Sequence, residues 1–375
     1  MKRSASADSV DEDRRLTLVR AALCDPSRVT TQSPAEWNLL ISQARRAGLL
    51  ARLGETLHAA GLLEAVPDVP RRRIEAERML AAKHAVDVKR ELAFIQKALA
   101  RTGVPIILLK GTAYAIAQLP PARGRVFNDI DILVPRNRIA EVEAALRLEM
   151  WNTTDVDAYD DRYYRNWMHQ IPPLTHVARQ TVLDVHHTIV AGTTQIELTA
   201  HKLFEAAVPT AHDPGLKVLA PADMILHSAA HLLNEGKFDR GLRDLDDMSL
   251  LLRHFGTKPG FFEALVERAA ELDLRRPLFY ALRYTATLLE TPVPADIRNA
   301  DRLKPPRPAL RAFMDLLFEQ ALRPDHPSCR DGFSGIALWL LYVRAHHLLM
   351  PAHILVPHLL RKAYVRRFKE EGRKG

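Results

Sequence analysis

Cysteine is almost missing from this chain: its 375 residues contain two, Cys24 and Cys329, with no metal-ligand spacing between them. That excludes a disulfide framework and a cysteine-built zinc site, and it fits a reducing compartment. Long hydrophobic runs are also lacking. The most apolar stretch, residues 335–343, is cut off by Arg344, His346 and His347, too soon to span a bilayer. The opening MKRSASADSVDEDRR is polar and acidic, with no apolar run of signal-peptide length. Together these absences predict a cytoplasmic protein. There is no internal repeat and no low-complexity segment, and 47% hydrophobic with 26% charged residues excludes wholesale disorder.

Charge of one sign is in modest excess, +8 overall. Five of those net charges sit in the last fifteen residues, Arg361 to Gly375, leaving +3 for everything before them. The basicity is a tail property, so a broad phosphate-binding surface for long nucleic acid is not predicted. The same tail follows apolar Ile354, Leu355, Leu359 and Leu360, a pattern that allows peripheral contact with an anionic membrane or packing on the protein body.

What is there alternates helix, strand and helix. Residues 1–14 form a polar lead. Over 15–101 the periodicity is helical, with Ser33-Pro34 as a cap followed by a helix-starting proline. Pro67 and Pro70 interrupt it. A long helix is then predicted over 72–100, with Ile74, Leu80, Val88, Leu92, Ile95 and Leu99 inward. From 102 to 220 the period changes: apolar strands are expected at 104–109, 128–134, 174–178 and 181–187, with a short one near 217–219. Short helices are placed at 113–119 and 136–149. From 221 to 375 seven helices are expected, the last over 354–369. The fold class is α+β: a small mixed sheet flanked by N-terminal helices and a C-terminal helical region.

Chemistry concentrates in ILLKGT, RVFNDIDILV and VLDVHH. In NDIDIL, Asp129 and Asp131 stand two apart on a strand and so share a face, while Ile130 and Ile132 face the core. Adjacent carboxylates repel unless a proton or cation intervenes, and oxygen ligands suit Mg²⁺ or Mn²⁺. The bland alternative is a solvated edge strand. Upstream, a strand runs into Lys110-Gly111-Thr112 and a helix, where backbone N–H groups and a glycine admit a phosphate; the alternative is an ordinary turn needing glycine for its φ. Asp184 lies on a third strand with Val182 and His186 on its face. His186 and His187 point oppositely and do not form a zinc pair.

These segments together resemble the nucleotidyltransferase superfamily of DNA polymerase β: an apolar strand, a glycine turn, a helix, Asp-h-Asp-h (h, apolar) and a later third acid. More narrowly, the chain is similar to a bacterial family of uncharacterised nucleotidyltransferases, over roughly residues 35–255. Arg125 and Asp184-Val185-His186 match further elements of that family. Thr112 departs from the Gly or Ser of the wider superfamily, and the sixteen residues between Thr112 and Asp129 include an extra PPARGR loop.

The resemblance implies a metal-dependent enzyme in which Asp129, Asp131 and Asp184 hold two Mg²⁺ (or Mn²⁺) ions. Lys110, Gly111, Thr112 and Arg125 would grip the phosphates of an NTP, with ATP the default, and NMP would pass to an unidentified hydroxyl with release of pyrophosphate. Two alternatives stand beside it: a toxin-like transferase acting on tRNA ends, which needs a basic groove next to Asp129, and a non-catalytic nucleotide-binding or assembly protein. Downstream, His227 and His231 are i, i+4, and Arg243 with Asp244 follows on the next helix. They form either a helical cap over the nucleotide, Arg243 near phosphates and Asp244 holding it, or a polar seam between helices.

Overall fold

Strand pairing in this protein brings distant acids into line. A computed structural model describes residues 18–153, 161–162, 164–165, 168–190, 200–211, 213 and 215–349. Seven short strands form one mixed sheet in the order β3-β4-β5-β2-β1-β7-β6. They are β1 (Ile107–Leu108), β2 (Asp129–Leu133), β3 (Trp151–Thr153), β4 (Leu174–His176), β5 (Val182–His186), β6 (Val208–Pro209) and β7 (Lys217–Val218). The central pair, β2 and β5, runs parallel with Asp131 opposite Asp184, whereas β1 runs antiparallel to β2. Ile130, Ile132, Leu183 and Val185 are all buried, as the period-two alternation requires.

Helices enclose the sheet. Before it come α1 (Leu18–Cys24), α2 (Pro34–Arg46), α3 (Leu50–Ala59) and α4 (Asp68–Leu99). The α2 start is a capping box: Ser33 Oγ accepts from the Glu36 N–H, and the Ser33 N–H donates to Glu36 Oε2 at 2.8 Å. Within the sheet region lie α5 (Lys110–Ile116), α6 (Ile139–Leu148) and α7 (His201–Ala206). After it come α8 (Pro221–Asn234), α9 (Gly241–Phe255), α10 (Phe261–Glu271), α11 (Arg275–Leu289), α12 (Ala295–Arg298), α13 (Pro308–Ala321) and α14 (Ser334–Leu349). One continuous apolar cluster runs from Leu18 and Trp37 through Ile107, Ile132 and Leu183 to Leu245 and Phe318.

The α+β architecture follows the sequence pattern, with instructive differences. Helix α4 starts at Asp68, not near residue 72, because Pro70 falls in the first turn, where backbone N–H groups lack intrahelical acceptors anyway. Leu80 is exposed, and Ala81 takes the inward place seven residues from both Ile74 and Val88. Helix α5 starts at Lys110 and absorbs the expected turn. Strands β3 and β6 escaped prediction, being two or three residues long. The expected helix 354–369 and the basic tail lie outside the described residues. Among the described residues, no helix is long and apolar enough to cross a membrane.

One buried arginine ties the three segments together. Arg52 of α3 donates to Asp246 Oδ2 at 2.7 Å and Asp247 Oδ1 at 3.1 Å on α9. It also donates to the backbone oxygens of Pro121 and Arg123 in the PPARGR loop. Asp247 is shared with Arg125. Each guanidinium nitrogen of Arg52 meets an acceptor, the condition under which buried charge is tolerable. The loop approaches so closely that a Cβ at Gly124 would meet backbone atoms of Ala51 and Arg52 at 2.7 Å, and Gly124 has φ +65°. Gly124→Ala is therefore expected to cost about 2–3 kcal/mol in denaturant unfolding. Gly103→Ala, with φ +63° but nothing within 4 Å, should cost less. Equal effects would show that the loop is not docked.

Candidate active site

The register of β2 against β5 sets the floor of a cleft. Ligand atoms of Asp131, Asp184 and His186 all lie within 4.8 Å of one another. Asp131 is buried and accepts from both neighbours: Lys110 Nζ is 2.9 Å from Oδ1, and His186 Nε2–H donates to the same oxygen at 3.0 Å. Asp129, solvent-accessible at the start of β2, lines the same cleft but stands outside that close group. The expected third acid thus meets Asp131 directly, and the imidazole two residues beyond it joins them.

The electrostatics divide the carboxylates. Burial alone would raise Asp131, but Lys110 and the His186 hydrogen bond hold it far below the usual carboxylate range. Burial, then the charges of Asp131 and Asp129, push Asp184 up to about 7. Crowding by protein around its carboxylate, then Asp131, raise Asp129 as well. Burial would depress Lys110, yet Asp131, Glu235 and Asp184 outweigh it and keep the ammonium charged. Burial brings His186 down to about 4, so the ring is neutral near pH 7. Asp184 Oδ1 is buried without a hydrogen-bond partner among the described residues. Two carboxylates, one with an unsatisfied oxygen, form an oxygen donor set that fits a hard divalent cation, while the His186 Nε2–H stays on Asp131.

Cations share this cleft of about 240 Å³ with the carboxylates. Lys110, Arg125, Arg243 and Lys237 line it. Arg125 is anchored on Asp247, and burial, then the nearby Arg243, lower it to about 10. Arg243 is gripped by Asp244 at 2.7 and 2.9 Å, the pairing anticipated for the helical cap. Gly111 and Thr112 are buried and do not line the cleft. A Cβ at Gly111 would lie 2.6 Å from Arg125 Nε, so the glycine makes room for that guanidinium. The left-handed residue of the turn is Lys110, at φ +44°. The Thr112 hydroxyl is buried and, among the described residues, unpartnered.

Other cleft residues gave little sequence signal. His231 lines the cleft and lies 3.4 Å from Glu235, which also sits 3.8 Å from His169. His169 stacks on His186, centroids 5.0 Å apart, while His227 is buried behind them. Glu235 and Lys237 belong to the HLLNEGK stretch at the end of α8, whose closely spaced polar residues after an apolar helix were the available hint. His169 and Gln170 lie just before β4, in a segment without periodicity.

The raised Asp184 makes a stability prediction. The unfolded carboxyl ionises near 3.8, before the folded one near 7, so metal-free protein loses stability as pH rises between those values. Asp184→Asn removes that loss. Its thermal midpoint without metal should exceed the wild type's at pH 8, with the gap closing toward pH 4. A variant less stable than wild type at pH 8 would contradict the assigned electrostatics.

Searches of curated proteins and of solved structures returned no significant match. A family model described as an uncharacterised nucleotidyltransferase matches residues 33–290, more than two thirds of the chain, including α2 to α11 and every cleft residue discussed above. The chain belongs to this family of uncharacterised nucleotidyltransferases.

Proposed function

We propose that the protein transfers a nucleoside monophosphate from an NTP, with ATP the default donor, to a hydroxyl acceptor, releasing pyrophosphate. The observation that carries this reading is one cleft lined by both signs: Asp131 stands in register with Asp184 and holds Lys110, and cationic Arg125 and Arg243 line the same space. Acids gathered at a few ångströms favour bound cations, and the neighbouring side-chain cations favour phosphates.

Asp131 and Asp184, with Asp129 at the cleft entrance, would hold Mg²⁺ or Mn²⁺, two ions being expected. The bound cation supplies charge neutralisation at the phosphates and acidifies an acceptor hydroxyl. The protein's own groups do the rest. Lys110 and Arg243 bind the triphosphate, each held in place by a carboxylate partner. Arg125, fixed on Asp247, adds charge from below. His186 holds Asp131 in one orientation through Nε2. A new bond forms between the acceptor oxygen and the α-phosphorus, and the bond to the β-phosphate's bridging oxygen breaks. The electron pair leaves with pyrophosphate, and the hydroxyl proton passes to a carboxylate of the cleft.

The tRNA-end alternative needs a basic groove beside Asp129. Beyond the cationic central cleft, the second groove at Asp129 carries Asp87 and Glu91 beside Arg179 and His84, which favours a small acceptor over a polyanionic RNA end.

Asp131→Asn should reduce transfer of α-labelled NMP by about 10²–10³-fold or more while leaving the far-UV spectrum unchanged. It should also abolish the rise in thermal midpoint produced by Mg²⁺ with NTP in the wild type. Undiminished transfer would refute the assignment. Arg243→Ala should raise KM for the NTP about tenfold, because it removes one charge-assisted phosphate contact; an unchanged KM would place the phosphates elsewhere.

A further inference from the structure

A second groove, of about 330 Å³, opens between α4 and the turn joining β4 to β5, and Asp129 lines both it and the central cleft. We propose that this groove is the acceptor subsite and that it takes a small polyhydroxylated molecule of neutral or positive charge. The inference rests on the nucleotidyl-transfer reading above and extends it to the second substrate.

Position is the first argument. In-line displacement requires the attacking oxygen opposite the departing pyrophosphate, so the two substrates must reach the α-phosphorus from different sides. The phosphate-binding cations Lys110, Arg125 and Arg243 all line the central cleft and none lines this groove. A molecule seated here meets the reacting region at Asp129, the shared carboxylate.

Charge is the second. Asp87, Glu91 and Asp129 line the groove, against one guanidinium, Arg179, and His84. That guanidinium is committed: its Nε donates to Glu91 at 2.8 Å, and it stacks on Phe94 with 4.6 Å to the ring centroid. Lys83 and Arg90 reach Asp87 from the exposed side of α4 at 2.6 and 3.1 Å, but neither lines the groove. Glu91 and Asp87 are thus ion-paired, and Asp129 has no ion-pair partner among the described residues. A phosphorylated acceptor or a nucleic-acid end would therefore meet an unpaired carboxylate and no uncommitted cation in the lining, a repulsive element that sets specificity. An ammonium or neutral hydroxyls would be accommodated.

Hydrogen-bonding chemistry narrows the class. Thr181 offers a hydroxyl, Gln180 the oxygen of an amide whose Nε2 donates to the Val177 carbonyl at 2.7 Å, and Asn128 the nitrogen of an amide whose oxygen accepts from Arg240. With the aromatic surface of Phe127 this mixture suits a sugar-like ring with a polar rim and apolar face. These groups sit on a fixed frame. His176 Nδ1 accepts from the backbone N–H groups of Ala178 and Arg179 at 3.2 and 3.1 Å, which pins the β4–β5 turn. His84 Nδ1–H donates to the Phe127 carbonyl at 3.0 Å, which ties α4 to the approach of β2.

The test is saturation-transfer NMR on the full chain with glucose, glucosamine and glucose 6-phosphate as probes, alongside the thermal shift produced by MgATP. Glucose and glucosamine should receive saturation and glucose 6-phosphate should not. Thr181→Trp, which fills the groove, should reduce both signals about fivefold or more, with the MgATP shift retained. Asp87→Lys should weaken glucosamine about fivefold more than glucose through reversal of one nearby charge; it decides the matter if Thr181→Trp loses the MgATP shift. Absence of signal for both unphosphorylated probes, a stronger signal for glucose 6-phosphate, or signals indifferent to both variants would overturn the subsite. Sugar binding without any wild-type MgATP shift would instead overturn the transfer reading, and the acceptor role with it.

Discussion

Parallel pairing of β2 with β5 is the constraint on which the site depends. It sets Asp131 beside Asp184 across a single strand spacing, roughly 4.8 Å between backbones, and so forces two carboxylates into a buried corner. Left alone, the pair would repel. Lys110 and His186 relieve one member, Asp131, by converging on a single oxygen. The other keeps an unsatisfied oxygen and a raised pKa. The asymmetry leaves one acid fixed as an anion and the other open to a proton or a cation, a division of labour set by surroundings because both are aspartates. Stability is given up locally at Asp184, as expected of a site kept ready for a ligand.

The helices matter to this corner through the Arg52 network. Without α3, the carbonyls of the PPARGR loop would lose their donor, Arg52, and without α9, Arg125 would lose its acceptor, Asp247. The cations of the cleft come from three stretches of chain: Lys110 from α5, Arg125 from the loop, and Arg243 from α9. Gly111 and Gly124 contribute by what they lack, one making room for the Arg125 side chain and the other for the backbone of α3.

How much of this was legible in the sequence depends on the kind of contact. Local periodicity sufficed for Asp129 and Asp131, because a two-residue repeat fixes the face of a strand. It also placed Asp184 and His186 on one face together. The Arg243–Asp244 pair was visible because its residues are neighbours. Gly111 was legible as special, but its reason was not: a phosphate cradle and a slot beneath an arginine demand the same residue. Arg52, Asp247 and Glu235 were opaque, since each gains meaning from a partner or cleft wall built across the fold, and no spacing rule encodes that. Leu80 and Pro70 mark smaller failures, where helical phase and the tolerance of first-turn proline overrode the simpler pattern.

The direct test of the central claim is a crystal structure of the protein soaked with Mn²⁺ and a non-hydrolysable NTP, read at the manganese anomalous edge. The expected result is an anomalous peak bridging Asp131 and Asp184, with triphosphate density extending from it toward Lys110 and Arg243. A peak elsewhere, or phosphates lying away from those two cations, would contradict it.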